Sequence, residues 1–172
     1  MLDQVQKPTR YTGGEMNTQL KPWDSAKLHF AFCFPDTYEV GMSHLGMKIL
    51  YAAMNQQPDM LCERAFMPWV DMMELMKQEN VLLFTLESRS PLSAFDVVGF
   101  TLQYEMSYSN ILAMLELGGI PLLRENRREE DPTVVAGGPC AFNPEPLADF
   151  IDAFMVGDGE EQILDLNRVI MQ

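Results

Sequence analysis

Two apolar segments near the end of this chain each run directly into glycines. Residues 134–136 are followed by Gly-Gly-Pro at 137–139, and residues 151–156 are followed by Gly-Asp-Gly at 157–159. In an open parallel sheet, ligands lie just beyond the carboxyl ends of the strands. Glycines at these ends permit a positive φ and let the backbone come close to a ligand. The pair of segments therefore predicts a binding edge of a sheet rather than two unrelated turns.

Apolar runs and helical patterns alternate along the rest of the chain. The strand-like runs are continuous rather than alternating, which is typical of a sheet covered by helices on both faces. Besides the two segments above, predicted strands cover 28–34, 60–66, 81–86, 96–102 and 120–123. Predicted helices cover 44–55, with Ser43 as N-cap, 69–78, a segment from Ser107 or Ser109 to Leu117, and 160–172.

This alternation predicts an α/β fold, Rossmann-like or flavodoxin-like and doubly wound, with a mostly parallel five-stranded sheet. Right-handed crossovers then place every strand-to-helix loop at one edge. Residues 1–26 contain two prolines and a Gly-Gly pair, so we expect an extended N-terminal arm held by Tyr11 and Trp23. The α/β domain is expected over 27–172.

Composition excludes several classes of protein. The 172 residues carry 25 acidic and 12 basic side chains, a net charge of −13, which argues against binding nucleic acid or an anionic membrane surface. The basic cluster at 124–128 borders acidic residues and is interpreted as a solvated loop. No signal peptide or membrane-spanning run is legible, so we expect a cytoplasmic protein. Three scattered cysteines, Cys33, Cys62 and Cys140, form no metal motif and are expected as free thiols.

Four loops should meet at the predicted edge: 35–46, 103–107, 137–143 and 157–160. They offer backbone N–H groups, small residues, aromatic rings and few charges, which suits a large, mostly neutral ligand. Neither a GxxxxGK[ST] loop nor a GxGxxG after the first strand is present. No catalytic triad, HExxH or acid–base pair is legible, so no catalytic or metal-binding residue is predicted.

Each candidate also has a plainer interpretation. The segment 157–160 forms an ordinary helix start if its glycines only turn the chain and Glu160 only complements the helix dipole. His44 is expected to be a helix N-terminal residue that hydrogen-bonds to backbone, and His29 is expected to be structural. The fourteen methionines are interpreted as adaptable core side chains.

The run AGGPCAFNPEPLADFIDAFMVGDGEE resembles the cobalamin-binding-type N-terminal domain of radical SAM proteins. In that family, GGP after one strand and GxGE after the next recur. The stretches FPDTYEVGMSHLGMKILY and FDVVGFTLQYEMSYSNIL resemble the first and third strand–helix units. The opening KPTRYTGGE resembles the start of an uncharacterised subfamily. The resemblance covers essentially the whole chain.

The resemblance implies a Rossmann-like domain that precedes a partial TIM barrel. That barrel carries CxxxCxxC, which holds a [4Fe–4S] cluster that reduces S-adenosylmethionine. The expected partner of this chain is that barrel, downstream in the same polypeptide, and the chain alone is not expected to be catalytic. Cobalamin is the cofactor that the resemblance implies for this domain. The implied cofactor-binding residues are Pro35, Gly46, Thr101, Gln103, Gly137, Gly138, Pro139, Gly157, Gly159 and Glu160.

One departure from the family pattern concerns cobalt ligation. Domains that supply a histidine ligand use DxHxxG after the first strand, whereas here Asp36-Thr37-Tyr38 precedes His44-Leu45-Gly46. The spacing differs, so His44 is not expected to bind cobalt. Relatives without that histidine still bind cobalamin.

Two alternatives remain open. Two helical segments, 44–55 and the one ending at Leu117, are apolar almost all round, which favours a structural or homodimerising module that has lost its cofactor. A flavodoxin-like binder of a nucleotide such as FMN is less favoured, because the loop after the first strand offers only Thr37 as a phosphate-binding hydroxyl.

Overall fold

A computed structural model describes residues 1–171. Its centre is a five-stranded sheet in which every strand pair is parallel, in the order β2-β1-β3-β4-β5. This architecture confirms the predicted α/β fold, and the strand order is that of flavodoxin-like sheets. The strands are β1 (Leu28–Phe34), β2 (Met60–Phe66), β3 (Val97–Thr101), β4 (Thr133–Gly137) and β5 (Ala153–Met155).

Five α-helices cover the two faces of the sheet. Helices α2 and α5 pack on one face, and α3 and α4 on the other, so strands β1 to β4 are largely buried on both sides, whereas the edge strand β5 is partly buried. The continuous apolar composition of the strands follows from this double cover. The helices are α1 (Tyr38–Ser43), α2 (Leu45–Asn55), α3 (Val70–Glu79), α4 (Tyr108–Leu117) and α5 (Gly159–Ile170).

Helix α1 was not predicted. Its six residues are too few to show a periodic pattern, and the amides of Val40 and Gly41 both bond to the Thr37 carbonyl at its start. Because α1 ends at Ser43, that residue is not the cap of α2, contrary to the prediction. His44 caps α2 instead: its Nδ1 accepts the N–H of Met47 at 3.1 Å.

Two predicted strands, 81–86 and 120–123, are absent from the sheet. Segment 81–86 is extended but makes only an isolated antiparallel bridge, between Phe84 and Pro91. It runs beside the edge strand β2, where the N–H of Leu86 donates to the carbonyl of Arg64 at 2.8 Å. Ile120 is buried in the core, so the apolar character of 120–123 reflects packing rather than strand pairing.

The N-terminal segment 1–26 is attached to the domain through its aromatic residues, as predicted. Tyr11 Oη accepts the backbone N–H of Trp69 at 3.0 Å, and the ring of Trp23 stacks on His29 with centroids 4.0 Å apart. The segment also contains three short 3₁₀ turns, at Leu2–Gln4, Pro8–Tyr11 and Trp23–Ser25, although its prolines and glycines predicted no regular element. His29 lies in β1 and bonds to Asp96 and Trp23, which confirms a structural role.

Two arginines are buried. In the basic cluster 124–128, predicted to be solvated, the Arg127 side chain is only 5% exposed. It bonds to Asp152 at 2.7 Å and to the carbonyls of Pro121 and Leu122. The solvated interpretation was therefore wrong for Arg127. Its charged neighbours are exposed, so the charge pattern of the sequence did not indicate that this one side chain is buried.

The second buried arginine lies on β2. Arg64 is 1% exposed, and its Nε donates to Glu87 Oε1 at 2.7 Å while its backbone N–H donates to the other carboxylate oxygen. The guanidinium also lies over the ring of Tyr51, 4.2 Å from its centroid. Segment 84–91 and part of the N-terminal segment therefore cover the outer edge of β2, which would otherwise expose unpaired backbone groups.

Candidate functional site

A crevice of about 180 Å³ opens at the carboxyl edge of the sheet. Its floor is formed by strands β1, β3, β4 and β5, and its walls are formed by helices α2 and α5. Eight of the ten predicted site residues line it: Gly46, Thr101, Gln103, Gly137, Gly138, Gly157, Gly159 and Glu160.

Pro35 and Pro139 do not line the crevice. The carbonyl of Pro35 accepts a hydrogen bond from Asn110 Nδ2 at 2.9 Å, on the β1–β3 side of the edge. Pro139 is the first residue of a 3₁₀ turn, Pro139–Phe142. The structure thus brings the predicted glycines together but leaves these two prolines outside the group. Whether the group binds a cofactor stays a prediction.

The crevice requires glycine at different positions for different physical reasons. Gly138 and Gly157 have φ of 116° and 113°, a backbone conformation that side chains disfavour, so both are needed for the turns that leave β4 and β5. Gly137 has no such constraint. A Cβ there would lie 3.3 Å from Met155 Cε, in the space of the crevice. Gly137 is therefore one of the lining glycines whose missing side chains keep the crevice open.

Most of the crevice surface is apolar. Its polar side chains belong to His44, Thr101, Gln103 and Glu160. Gln103 Nε2 donates to the hydroxyl of Thr101, which links the end of β3 to the loop that follows it. The remaining lining residues are glycines, Phe100, whose side chain packs in the core on the other face of the sheet, and the apolar side chains Phe30, Phe32, Met47, Leu50, Met155 and Ile163.

His44 lies at the crevice as the N-cap of α2. Because Nδ1 accepts the Met47 amide, the neutral ring carries its proton on Nε2. Nδ1 is thus occupied by the cap, which confirms the predicted backbone-bonded role. Among the described residues 1–171, no cluster of three or more His, Cys, Asp or Glu side chains is arranged to hold a metal ion.

The loops after β1 and β3 are joined to each other. The Tyr104 hydroxyl donates to the carboxylate of Asp36, and this bond, with some burial, raises the pKa of Tyr104. In sheets of this order, ligands commonly bind where the loops of these two strands separate. Here a side-chain bond spans that gap, and the loops after β4 and β5 supply much of the crevice mouth.

Exposed apolar side chains lie in the loops at this edge of the sheet. We call this set the apolar rim. Met106, after β3, is 87% exposed, and Phe142, after β4, is 74% exposed. The other members are Val40, Leu45 and Val156, which follow β1 and β5. Large apolar side chains grouped in this way mark a surface that binds something. Sequence reasoning identified Phe142 as a residue of this edge but did not identify the group.

Among residues 1–171, no helix has both the length and the apolar composition needed to cross a membrane. An uncharacterized protein of Methanocaldococcus jannaschii is 28% identical over 132 residues, which are 76% of this chain and 24% of that protein. The chain thus spans about a quarter of the length of this relative. No solved structure matches the chain significantly. The family model described as the N-terminal domain of radical SAM proteins matches residues 46–172, about three quarters of the sequence, and the chain therefore belongs to this family.

Proposed function

We propose that this domain binds cobalamin at the carboxyl edge of its sheet and presents it to the catalytic domain of a radical SAM enzyme. The observation that carries the proposal is the crevice that Gly137 keeps open between the sheet and helices α2 and α5. Membership of the radical SAM N-terminal family supports the catalytic partner. The iron–sulfur cluster and S-adenosylmethionine belong, in this proposal, to that partner domain.

The size of the crevice decides which part of cobalamin it would take. Pockets that enclose whole drug-sized ligands have volumes of roughly 300–1,000 Å³, whereas this one has about 180 Å³. It therefore fits the base of the nucleotide tail and not the corrin ring. The corrin would lie outside, against the apolar rim. The residues present fit this division, because the deep part is apolar and the mouth carries hydrogen-bonding side chains.

The residues of this chain would have three roles toward cobalamin. Thr101 and Gln103 would hydrogen-bond the polar part of the tail at the mouth, and the glycine turns would let backbone approach it. The apolar walls would exclude water. When bound, cobalamin would supply a cobalt centre for methyl transfer. His44 would not ligate the cobalt. Its Nδ1 accepts the Met47 N–H, so Nε2 of the neutral ring carries the proton and has no free lone pair.

Titration with hydroxocobalamin tests the proposal. We expect the 172-residue chain to bind the pigment at micromolar concentration, measured by the visible spectrum and by co-sedimentation. Gly137→Val places a side chain in the crevice and should weaken binding at least tenfold. Ala113→Val, on α4 at the opposite face of the sheet, is the control. Absence of co-sedimenting pigment at high micromolar ligand would overturn the proposal.

A structural module is the second candidate, and the apolar rim favours it, because a docking surface needs no cofactor. In this case the rim would contact the catalytic domain or a second copy of the chain directly. A stable dimer in solution that binds no cobalamin would support this candidate. The flavodoxin-like alternative stays less favoured. The loop between β1 and α1 offers only the hydroxyl of Thr37 to bind the phosphate of a nucleotide.

A further inference from the structure

We propose that the crevice selects among corrinoids by their lower base: it accepts a base with hydrocarbon edges, such as dimethylbenzimidazole, and discriminates against a purine. This inference rests on the proposed function, because it concerns the part of the ligand that enters the crevice. It adds a specificity that neither the family nor the fold assigns. This selectivity follows from the positions of the polar side chains in the crevice.

The floor of the crevice is aromatic. Phe32 pairs with Gly99 in the sheet register, and Phe30 lies two residues deeper on the same face. The Phe30 ring extends over Gly99, where a Cβ would lie 2.3 Å from Phe30 Cζ. The rings of Phe30 and Phe32 meet edge to face at an interplanar angle of 79°. Position 99 is therefore a glycine because the Phe30 ring occupies the space of a side chain. The two rings offer only hydrocarbon contact to a planar nucleotide base.

Beyond His44 and Glu160, which lie at the starts of α2 and α5, the side chains that line the walls are apolar. Met47 and Ile163 are buried on α2 and α5, and Leu50 and Met155 complete the lining on these sides. The backbone groups of the floor are engaged in the ladders between β1, β3 and β4. They are consequently not free to pair with a ligand.

Polar side chains are confined to the outer end. Thr101 is the last residue of β3, two residues beyond Gly99, and Gln103 lies farther along the same loop. His44 and Glu160 lie at the first turns of α2 and α5. A base that lies against the phenylalanine floor and the inner walls contacts apolar side chains there.

Such a chamber treats the two kinds of base differently. A purine has ring nitrogens and an amino group that lose their water on entry and find no partner, which is costly. A dimethylbenzimidazole loses mainly apolar hydration, which favours entry. The volume of about 180 Å³ corresponds to about six waters at ~30 Å³ each, the scale of one fused ring system.

Three corrinoids test the inference by equilibrium dialysis with the 172-residue chain: cobalamin, its adenine-containing analogue, and cobinamide, which lacks the nucleotide. We expect cobalamin to bind at least tenfold more tightly than either of the others. Equal affinities for cobalamin and the adenine analogue would overturn the base selectivity and leave the proposed function standing. Failure of all three to bind would overturn the proposed function and, with it, this inference.

A pair of adjacent substitutions locates the selectivity. Leu50 lines the crevice, whereas its neighbour Ile49 is exposed. Leu50→Gln introduces a donor and an acceptor into the wall, so the affinity ratio of cobalamin to the adenine analogue should fall at least threefold. Ile49→Gln should leave the ratio unchanged. An unchanged ratio in Leu50→Gln, with circular dichroism like that of the unaltered chain, would overturn the assignment to this wall. The three-ligand comparison does not depend on either variant.

Discussion

Arg127 joins three pieces of backbone that are distant from one another in the sequence or belong to different elements. Its guanidinium bonds to the carbonyls of Pro121 and Leu122 and to the Asp152 carboxylate, whose Oδ2 also accepts the N–H of Val134 at 2.7 Å. The start of β4, the approach to β5 and the loop after α4 are thereby tied together. The planar fork of arginine reaches these acceptors simultaneously, which an ammonium group cannot do.

Arg127→Lys should therefore destabilise the protein although it keeps the charge. We expect the free energy of unfolding to fall by about 2 kcal/mol, since hydrogen bonds made by the charged group are lost. Urea unfolding at pH 7 measures the change. Arg128→Lys is the matched control, because that side chain is exposed and pairs only with Glu130, so its effect should be near zero. Equal effects of the two substitutions would contradict the role of Arg127.

The Arg64–Glu87 pair is buried at the outer edge of the sheet. Both side chains are 1% exposed, and the Glu87 carboxylate receives both Nε and the backbone N–H of Arg64. Burial raises the pKa of Glu87, while the guanidinium acts in the opposite direction. The removal of one member of such a pair leaves a buried charge without compensation.

Glu87→Gln should consequently lower the free energy of unfolding by about 3 kcal/mol. The amide keeps the shape of the side chain, so the loss reports the missing carboxylate rather than a cavity, and Glu15, 3.7 Å from Arg64 Nη2, is the carboxylate that remains beside the guanidinium. Urea unfolding gives the value, and Glu74→Gln, at an exposed position of α3, is the control. A loss no larger than that of the control would indicate that Arg64 finds sufficient partners elsewhere.

The sequence predicted single residues well where spacing alone decides their role. His44 as a backbone-bonded residue at a helix start and Tyr11 as an anchor follow from local patterns, and both are confirmed, although the cap itself was assigned to Ser43. Arg64 and Arg127 were missed because their partners are distant in the chain: Glu87 lies 23 residues from Arg64, and Asp152 lies 25 residues from Arg127. A charge in a sequence does not reveal whether a carboxylate will meet it inside the fold.

At the scale of elements, apolar composition predicted burial more reliably than conformation. Segments 81–86 and 120–123 are as apolar as true strands, and Leu83, Leu86 and Ile120 are buried. Yet neither segment pairs in the sheet, because apolar runs of this length do not distinguish a strand from a buried connection. Strands β1 to β4 differ in being separated by α-helices long enough to cross the sheet, whereas β4 and β5 are joined by a segment with two short 3₁₀ turns. That alternation is why the fold itself was predictable.

The N-terminal segment is held to α1 by an ionic contact that titrates. Partial burial acts to raise the pKa of Glu39, but its own backbone N–H and the side chains of Arg10 and Lys7 lower it, to about 2. Arg10 Nε donates to Glu39 Oε1 at 3.0 Å. Since the pKa in the folded protein lies below the ordinary 4.5, the stabilisation is present above about pH 4.5 and is lost as the pH falls to about 2.

Glu39→Gln should therefore reduce stability at pH 7 and lose its effect in acid. The carboxylate is 43% exposed, so solvent screening keeps the expected difference below about 1 kcal/mol. Urea unfolding of the unaltered chain and the variant at several pH values between 7 and 2 measures it, with Glu79→Gln on α3 as control. A difference that grows on acidification would have the wrong sign for this contact.

At the scale of the whole molecule, parallel topology collects the loops of β1, β3, β4 and β5 at one edge. Right-handed crossovers require this arrangement, so the meeting of the glycine loops was predictable from the strand pattern. The apolar rim was less predictable, because its members come from separate loops and each is unremarkable alone. Only the assembled sheet shows that their loops lie at one edge.

The apolar rim leads to a prediction about the radical SAM domain that we propose as its partner. In a Cys140→Ser background, a thiol placed by Phe142→Cys should react quickly with a labelling reagent in the 172-residue chain, since Cys33 and Cys62 are buried. In a longer polypeptide that includes the radical SAM domain, we expect the same thiol to react at least tenfold more slowly. Val169→Cys, at the other end of α5 and 66% exposed in the native chain, is the control and should react equally in both. Equal rates at position 142 would mean that the catalytic domain does not cover this edge, and that the rim faces solvent or another molecule.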